Sequence, residues 1–303
     1  MISCLALSAS LDVTYLVDSL EVGGINRPSE VHRSAGGKAL NVARAAATLG
    51  ARVSAIAVLG GRTGELVSSM LRETPIELQL VDGGVETRSC LSIAAADSER
   101  LTEFYEPAGP VDARSWGSFA EAVRSSEIST GDWLVLAGSV PDGLPIDELC
   151  RLLRDRRETG ARIAVDSHGP ALVRLIEEVR PDVVKINRTE AAGVLGMDDG
   201  IPIQQLAQRV REMGPGLVVV TDGVEGACAV DGDGVVMVAP VPVPGRYPVG
   251  SGDCFLAGLV VGLERGDRLT RALELATAVA TANAMVPGAG TFDPAQVELI
   301  LHR

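Results

Sequence analysis

The chain has 303 residues, of which 46% are hydrophobic and 22% charged, and its net charge is -13 with a pI near 4.8. A chain of this length buries most of its surface on folding, so a large core needs no disulfide or metal support. The acidic balance and the 3% of aromatic residues argue against nucleic acid and anionic membranes as partners. An anion site must therefore be built locally, from a few basic side chains and backbone N–H groups.

The cysteines indicate a cytoplasmic protein. All five are scattered and form no CxxC pair, which is typical of reduced core thiols. No apolar run approaches the roughly 20 residues that a membrane span requires. The three histidines lie too far apart in the sequence for zinc spacing, so no metal cluster of that kind is expected.

Short apolar runs alternate with longer segments of helical spacing. Strands are predicted at residues 2–7, 52–59, 133–137, 163–166, 183–185 and 217–221, and helices at 38–49, 145–159, 203–213 and 255–263. This alternation predicts an α/β fold with a Rossmann-type, mostly parallel sheet and helices on both faces. Ligands of such sheets bind outside the carboxyl ends of the strands.

Two segments break this rhythm, because their residues alternate in polarity as in strands with one solvated face. They lie at residues 12–33 and 87–105 and predict a small separate β-sheet. We therefore expect one domain over residues 1–303 with a β lid, formed by about residues 12–34 and 87–106.

The entrance to the first predicted helix is rich in glycine. Gly36, Gly37 and Lys38 offer backbone donors and Asn41 offers a carboxamide, a set suited to sugar hydroxyls. Simple helix capping is the alternative. Asp12, which follows the first strand, is either a further sugar ligand or a turn residue.

Basic residues in the two lid segments suggest a site for a phosphate dianion. Arg27 and Arg88 can clamp a phosphate if the segments fold towards each other, and otherwise are solvated surface charges. Ser139, in a turn after the strand at 133–137, can add a hydroxyl.

Polar residues also follow the later strands. Asn187 and Glu190 are three residues apart at a helix start, where they can position hydrated Mg²⁺ or form a capping box, and the two roles are compatible. Thr221, Gly223 and Gly226 end the next strand, where they either hold a nucleotide or only turn the chain.

A second glycine-rich loop, Gly250-Ser251-Gly252-Asp253, opens the apolar helix at 255–263. Closely approaching N–H groups and the positive end of the helix suit the charge on a transferring phosphoryl group. Asp253 stands where it can accept a proton from an incoming hydroxyl. The alternative is an ordinary loop with Asp as a helix cap, and the Walker pattern GxxxxGK[ST] is absent from the sequence.

In this order, the segments resemble the ribokinase-like carbohydrate kinases, also called the phosphofructokinase B family, over nearly the whole chain. Residues 250–253 are similar to the family's GAGD, residues 36–43 to its GG-x-x-x-NVA, and residues 185–190 to its K-P-N-x-x-E. The resemblance implies a Rossmann-like body, a β lid that often mediates dimerisation, MgATP as phosphoryl donor and Asp253 as base.

Within the family, the chain is most similar to the 1-phosphofructokinases and tagatose-6-phosphate kinases. That branch implies Arg27, Arg88 and Ser139 as ligands of the substrate phosphate, with Lys38 as a further candidate, and Asp12 and Asn41 as ligands of sugar hydroxyls. It implies a nucleotide side formed by Lys185, Asn187, Thr221, Gly223, Gly226 and Asn283. The sequence departs from the family pattern at Ala39, Ile186, Pro248 and Ser251, none of which replaces a charged catalytic group.

The expected activity is ATP-dependent phosphoryl transfer to a hydroxyl of a phosphorylated ketohexose, with a sugar phosphate, MgATP and a homodimer partner through the lid as the expected partners. One alternative is a kinase of an unphosphorylated sugar or nucleoside, in which Arg27 and Arg88 are surface charges. Another is a non-catalytic metabolite-binding protein, which has no need of a base at Asp253.

Overall fold

The structure is a computed structural model that describes residues 1–98, 100–243 and 245–302. In chain order, the strands are β1 (Ile2–Ala6), β2 (Ser10–Val17), β3 (Glu30–Gly36), β4 (Val53–Leu59), β5 (Glu77–Asp82), β6 (Arg88–Ala95), β7 (Thr102–Tyr105), β8 (Trp133–Ala137), β9 (Arg162–Asp166), β10 (Val183–Asn187), β11 (Leu217–Thr221), β12 (Ala227–Val230) and β13 (Val235–Val238). The helices are α1 (Lys38–Thr48), α2 (Gly61–Arg72), α3 (Ala113–Ser125), α4 (Ile146–Glu158), α5 (Gly169–Val179), α6 (Arg188–Leu195), α7 (Ile203–Glu212), α8 (Ser251–Glu264), α9 (Leu269–Ala284) and α10 (Pro294–Leu301).

Within these ranges the large sheet has nine strands in the order β13-β12-β11-β10-β9-β8-β1-β4-β5. The strands from β11 to β5 in this order pair in parallel, whereas β12 and β13 form an antiparallel edge. Every residue of β1 and β8 is buried, as expected for parallel strands covered on both faces. The predicted α/β fold class is confirmed; the antiparallel edge was not foreseen.

Helices cover both faces of the large sheet and divide the core into two layers. One face packs against α1, α2, α8, α9 and α10, and the other packs against α3 to α7. Helices α8 and α9 approach closely because Gly258 and Gly262 of α8 face α9: a Cβ at these positions would lie 2.7 and 2.8 Å from the Cα atoms of Ala276 and Ala272. This contact fixes the axis of α8 and, with it, the direction in which its N-terminus points.

The two segments of alternating polarity form the second sheet, as predicted. We call it the small sheet; its order is β3-β2-β6-β7, with a parallel β2–β6 pair between antiparallel outer pairs. The strand β2 begins only four residues after β1 ends, so the small sheet stands beside the carboxyl end of β1. Gly36, which the sequence placed at the helix entrance, is instead the last residue of β3.

None of the helices in the described ranges has both the length and the apolar character needed to cross a bilayer.

Candidate active site

A buried carboxylate joins two lysines at the carboxyl end of the large sheet. Asp166, the last residue of β9, is completely buried. Its Oδ1 accepts a hydrogen bond from Lys38 Nζ at 2.6 Å, and its Oδ2 accepts one from Lys185 Nζ at 2.7 Å. Lys38 Nζ also lies 3.3 Å from Glu190 Oε1. Because Lys38 opens α1 and Lys185 lies in β10, one carboxylate fixes ammonium groups from two separate parts of the chain.

The charges of this cluster stabilise one another. Burial by itself raises the pKa of Asp166, but Lys185 and Lys38 outweigh it and hold that pKa below its ordinary value. Burial likewise opposes the charge of Lys38, yet Asp166, Glu190 and Asp253 raise the pKa of Lys38 above its usual range. Lys38 therefore remains cationic at neutral pH and can bind an anion.

The glycine-rich loop brings α8 to this cluster. Gly250 has a φ of 79°, and a Cβ there would lie 2.7 Å from the Gly290 backbone nitrogen, so both conformation and space require glycine. A Cβ on Gly252 would lie 2.8 Å from Lys185 Nζ. The Lys185 ammonium thus rests against the first turn of α8, where backbone N–H groups have no partner within the helix. This combination suits the binding of phosphate oxygens.

Asp253 lies in the same first turn and is only 6% exposed. Asn41 Nδ2 donates to its Oδ2 at 2.8 Å, and Arg44 Nη2 donates to Asn41 Oδ1 at 2.8 Å, which fixes the orientation of the amide. Burial, followed by the nearby negative charge of Asp166, raises the pKa of Asp253 to about 7, although Lys38 and Asn41 act in the opposite direction. A carboxylate with such a pKa is a suitable general base at neutral pH.

The predicted sugar ligands from the amino-terminal segments lie on neighbouring elements. The Asp12 side chain of β2 lies against Gly36 of β3, where a Cβ would lie 2.0 Å from Asp12 Cγ. Ser10 Oγ donates to Asp12 Oδ1 at 2.6 Å. Burial raises the pKa of Asp12, although Ser10, Arg44 and the Gly37 backbone lower it. Gly37 has a φ of 92° and turns the chain from β3 into α1, which carries Asn41 towards Asp253.

The predicted phosphate ligands are only partly brought together. Arg88 is half-buried at the start of β6, with Nη1 3.2 Å from the Glu106 carbonyl and Nη2 3.4 Å from the Ser8 carbonyl. Ser139 Oγ donates to Ser8 Oγ at 3.0 Å, so Arg88 and Ser139 share Ser8 as a neighbour. Within the described residues Arg88 has no ion-pair partner, and its enclosed Nε makes no hydrogen bond.

Arg27 lies apart from these groups. It is exposed, on the loop that connects β2 and β3, and across residues 1–98, 100–243 and 245–302 it makes no hydrogen bond or ion pair. The clamp of two arginines is therefore not assembled within this chain, and the expected role of Arg27 remains a prediction.

A large cavity lies on the other side of the glycine-rich loop. Its volume is about 260 Å³, and its walls come from the turn after β11, from Pro240, Val241, Val243, Gly245 and Pro248, and from helices α8 and α9. The predicted nucleotide residues Thr221, Gly223 and Gly226 line it together with Ser251 and Gly252. Most of its other lining residues are apolar, including Val243, Phe255 and Ala284. A slot with apolar walls beside an anion-binding helix start is suited to a nucleotide.

One predicted nucleotide ligand, Asn283, is enclosed by protein groups, and its expected contact with the nucleotide stays a prediction. Asn283 is completely buried; its Nδ2 donates to the Val249 carbonyl at 2.8 Å and lies 3.1 Å from Ser251 Oγ. Its Oδ1 accepts from Thr291 N at 3.1 Å. With its donors and acceptor engaged by protein, Asn283 supports the glycine-rich loop from behind rather than facing the cavity.

The predicted magnesium residues form a capping box. Asn187 Oδ1 accepts from Glu190 N at 2.8 Å, and Glu190 Oε2 accepts from Asn187 N at 2.9 Å. In the part of the chain that the structure describes, no group of three or more Asp, Glu, His or Cys side chains could hold a metal ion directly. The donor set therefore fits only an ion that keeps most of its water and phosphate ligands, as Mg²⁺ does on a nucleotide.

Two residues of the site were missed by the sequence analysis. Asp166 is a single carboxylate with no motif of its own. Its position at the carboxyl end of a predicted strand is the signal that could have identified it as a site residue. Arg44 lies one helical turn after Asn41, which is the signal for contact along one face of α1. Its guanidinium also donates to the Ala289 carbonyl at 2.6 Å, and so links α1 to the loop behind Gly250.

An α/β body that brings a helix N-terminus, two lysines and a poised carboxylate together beside a cavity suited to a nucleotide belongs to the class of phosphotransferases. Comparison with known families makes this specific: the family described as pfkB family carbohydrate kinase matches residues 1–296. The chain therefore belongs to the pfkB family of carbohydrate kinases and is an ATP-dependent sugar kinase of ribokinase-like fold. The family resemblance identified in the sequence is confirmed.

Solved structures agree with this assignment. Phosphofructokinase-2 from Escherichia coli in complex with substrates and products is 28% identical, with a TM-score of 0.91 over 99% of this chain and 98% of that one. The same enzyme in complex with fructose-6-phosphate is 27% identical, with a TM-score of 0.88 and the same coverage. A possible 1-phosphofructokinase from Thermotoga maritima, 23% identical with a TM-score of 0.86 over 100% of this chain and 97% of that one, shows the shared fold.

Proposed function

We propose that this kinase transfers the γ-phosphoryl group of ATP to a hydroxyl of a phosphorylated ketohexose, with Asp253 as the general base. The observation that carries the proposal is the position of Asp253. Its carboxylate is held by Asn41 on the side of the sugar residues, and it lies one residue from Gly252, which lines the large cavity. An acceptor hydroxyl and a nucleotide phosphate can therefore meet at this carboxylate.

In the proposed reaction the acceptor hydroxyl gives its proton to Asp253 as its oxygen attacks the γ-phosphorus, and ADP leaves. The N–H groups of the glycine-rich loop and the Lys185 ammonium stabilise the negative charge on the transferring group. Asp12 and Asn41 hold sugar hydroxyls, so that the attacking oxygen is aligned with the nucleotide. Hydrated Mg²⁺, held by the nucleotide phosphates and reached by Asn187 and Glu190 through water, supplies further charge neutralisation when bound.

A phosphorylated acceptor is favoured over a free sugar because, among the described residues, no carboxylate lies within ion-pair distance of the Arg88 guanidinium. Among the described residues the guanidinium donates hydrogen bonds only to backbone carbonyls, and it lines a small cavity together with Ser8 and Thr87. Ser139 adds a hydroxyl to this group through Ser8. In a chain with a net charge of -13, an unpaired, half-buried arginine beside hydroxyls is a suitable site for a dianion. The E. coli enzyme crystallised with fructose-6-phosphate supports the same substrate class.

We further propose that the small sheet closes over the site as a lid and forms a homodimer contact. Asp12 and Arg88, which are predicted to bind the acceptor, both lie on its strands. Closing the sheet would exclude water, which competes with the sugar as phosphoryl acceptor. One structural neighbour, phosphofructokinase-2 from Escherichia coli, is described as a tetrameric inhibited form, which supports self-association of this fold.

The direct test is an ATP-consumption assay with fructose 6-phosphate, fructose 1-phosphate, tagatose 6-phosphate, fructose and ribose as acceptors. The proposal expects the highest kcat/KM for one of the three phosphorylated sugars. Higher kcat/KM for fructose or ribose would assign the chain to the kinases of unphosphorylated sugars. The absence of turnover with any acceptor, in protein that binds ADP, would favour a non-catalytic binding protein.

Replacing Arg88 by alanine should raise KM for the phosphorylated substrate by about 10- to 100-fold, because a charged hydrogen bond is worth roughly 1.5–3 kcal/mol. KM for ATP should stay within about twofold, since the nucleotide cavity lies on the far side of the glycine-rich loop. Arg33→Ala is the matched control, since Arg33 is an exposed arginine of the same sheet. Equal increases in both KM values would remove Arg88 from the acceptor site.

A further inference from the structure

The residue after Asn187 makes a set of contacts that the proposed reaction does not use. Arg188 is the first residue of α6. Its Nε donates to Asp222 Oδ1 at 2.9 Å, and its Nη2 donates to Asp222 Oδ2, so the pair is bidentate. Its Nη1 donates to the carbonyls of Asp199 and Ile201 at 3.0 and 2.8 Å. All three guanidinium nitrogens are thus engaged, and they join α6, the segment before α7 and the turn after β11.

Asp222 stands at the base of the turn that forms one wall of the large cavity. Its N–H donates to the Gly226 carbonyl at 2.8 Å, and its carbonyl accepts from Glu225 N at 3.0 Å. Between these contacts the chain makes a short 3-10 turn, whose outer residue Val224 is 85% exposed. An exposed turn of this kind loses little packing when it moves, so an ion pair at its base has a large influence on its position.

The geometry of the two strands makes Arg188 effective as an anchor. Asn187 at the end of β10 lies beside Thr221 at the end of β11 in parallel register. The next residue of each strand, Arg188 and Asp222, carries the ion pair. The pair therefore links the start of the Asn187–Glu190 capping box directly to the turn that lines the cavity.

The pair also changes the charge seen by a nucleotide. Asp222 lies beside Thr221 and Gly223, which line the cavity, and an unpaired carboxylate there would repel a polyanion. Arg188 neutralises it, and its hydrogen bond is the main cause of the lowered pKa of Asp222. The side chains of Arg188 and Asp222 are 28% and 20% exposed, so solvent screens the attraction only in part.

We propose that Arg188 and Asp222 form a positioning pair that holds the turn at residues 222–226 in its nucleotide-binding arrangement. This inference rests on the proposed function only in taking the large cavity as the nucleotide site. Neither residue needs to touch the nucleotide: Arg188 fixes the turn and Asp222 transmits the constraint to Thr221, Gly223 and Gly226.

The test uses the full chain with three variants, Arg188→Met, Asp222→Asn and the double variant. Nucleotide affinity is measured by titrating ADP without sugar, and KM values are measured for ATP and for the best sugar phosphate. Each single variant should raise the Kd of ADP and the KM of ATP by about three- to tenfold, with the sugar KM and kcat within about twofold. The double variant should be no weaker than the worse single variant, because the two residues act through one contact.

Arg174→Met is the matched control. Arg174 of α5 forms comparable ion pairs with Glu178 of the same helix and with Asp147 of α4. It should leave ADP affinity unchanged while losing a similar amount of thermal stability. Unchanged ADP affinity in folded Arg188→Met, an equal rise in sugar KM, or additive effects in the double variant would overturn the proposal. If Arg188→Met does not fold, Asp222→Asn decides by the same criteria. Because ADP binding is measured without turnover, the test remains decisive even if no sugar phosphate is accepted.

Discussion

At the scale of single residues, the site depends on the different environments of two carboxylates. Asp166 has a lysine on each oxygen, so its pKa is lowered despite complete burial. Asp253 has an amide on one oxygen and the negative charge of Asp166 nearby, so its pKa is raised. One carboxylate thus remains a fixed counter-ion, while the other can accept and release a proton near neutral pH.

This difference predicts the pH dependence of turnover. Because Asp253 must be ionised to accept a proton and its pKa is raised to about 7, kcat should fall as the pH is lowered from 8 to 6, with an apparent pKa near 7. Asp253→Asn should lower kcat by about 10²–10⁴-fold and abolish this acidic limb. Steady-state rates of both proteins between pH 5.5 and 9 provide the measurement. A limb due only to the substrate phosphate would persist in the variant, and near-normal turnover in Asp253→Asn would exclude it as the base.

The sequence was informative about residues where chemistry is concentrated in a short motif. The loop at residues 250–253 and the helix entrance at 36–41 were both singled out, because their order along the chain resembles the motifs of one family, although each alone also fits helix capping. Asp166 was not found, since its partners Lys38 and Lys185 are 128 and 19 residues away and a motif search cannot see that distance. Asn283 was assigned to the nucleotide by resemblance, whereas its burial and hydrogen bonds show a supporting position.

At the scale of secondary structure elements, the N-terminus of α8 controls the reaction site. The helix is buried along most of its length and packs against α9 through glycines, so its start cannot shift easily. Gly250 closes the turn into this helix with a positive φ, and it lies against the backbone of Ala289 and Gly290. The loop is therefore rigid because of its packing, although it is rich in glycine.

A comparison of the two ends of α8 tests this point. Gly250 and Gly266 have φ values of 79° and 81°, but a Cβ on Gly250 would lie 2.7 Å from Gly290 N, whereas nothing lies within 4 Å of a Cβ on Gly266. Gly266→Ala should cost only the conformational strain, about 1 kcal/mol, and leave kcat unchanged. Gly250→Ala should cost about 1–3 kcal/mol more through overpacking and greatly lower kcat. Urea unfolding and steady-state kinetics measure both effects; equal losses in the two variants would mean that Gly250 contributes backbone conformation alone.

The elements themselves were predictable to different degrees. The strands β8 and β11 are continuous apolar runs and were predicted with correct bounds, because central parallel strands are buried on both faces. The edge strand β13 has alternating exposure and only four residues, so its pattern is too short to separate from a loop. The pairing of β2 with β6 joins segments about 78 residues apart, and nothing in local periodicity specifies such a register.

At the scale of the whole molecule, the two sheets have different surfaces. The large sheet is covered by helices on both faces, whereas the small sheet and its connecting loop expose large apolar side chains. These include Val22 at 93%, Ile25 at 78%, Phe104 at 59% and Tyr105 at 55% exposure. A concentration of exposed apolar side chains on one part of a protein is typical of an interaction surface.

The exposed apolar surface of the small sheet predicts self-association. The chain should be a dimer at micromolar concentration, because covering Val22 and Phe104 removes apolar area from water, and a stable interface needs about 800 Å² from each partner. Phe104→Asp should shift the sedimentation coefficient to that of a monomer, because an unpaired charge would be buried in the contact. Met237→Asp is the control: Met237 is 58% exposed on β13, an edge strand of the large sheet and not part of the small sheet, and its variant should remain dimeric. If the small sheet also acts as a lid, the monomeric variant should lose kcat, because its strands carry Asp12 and Arg88. A monomeric wild type, or a Phe104→Asp variant that still dimerises, would contradict this assignment of the surface.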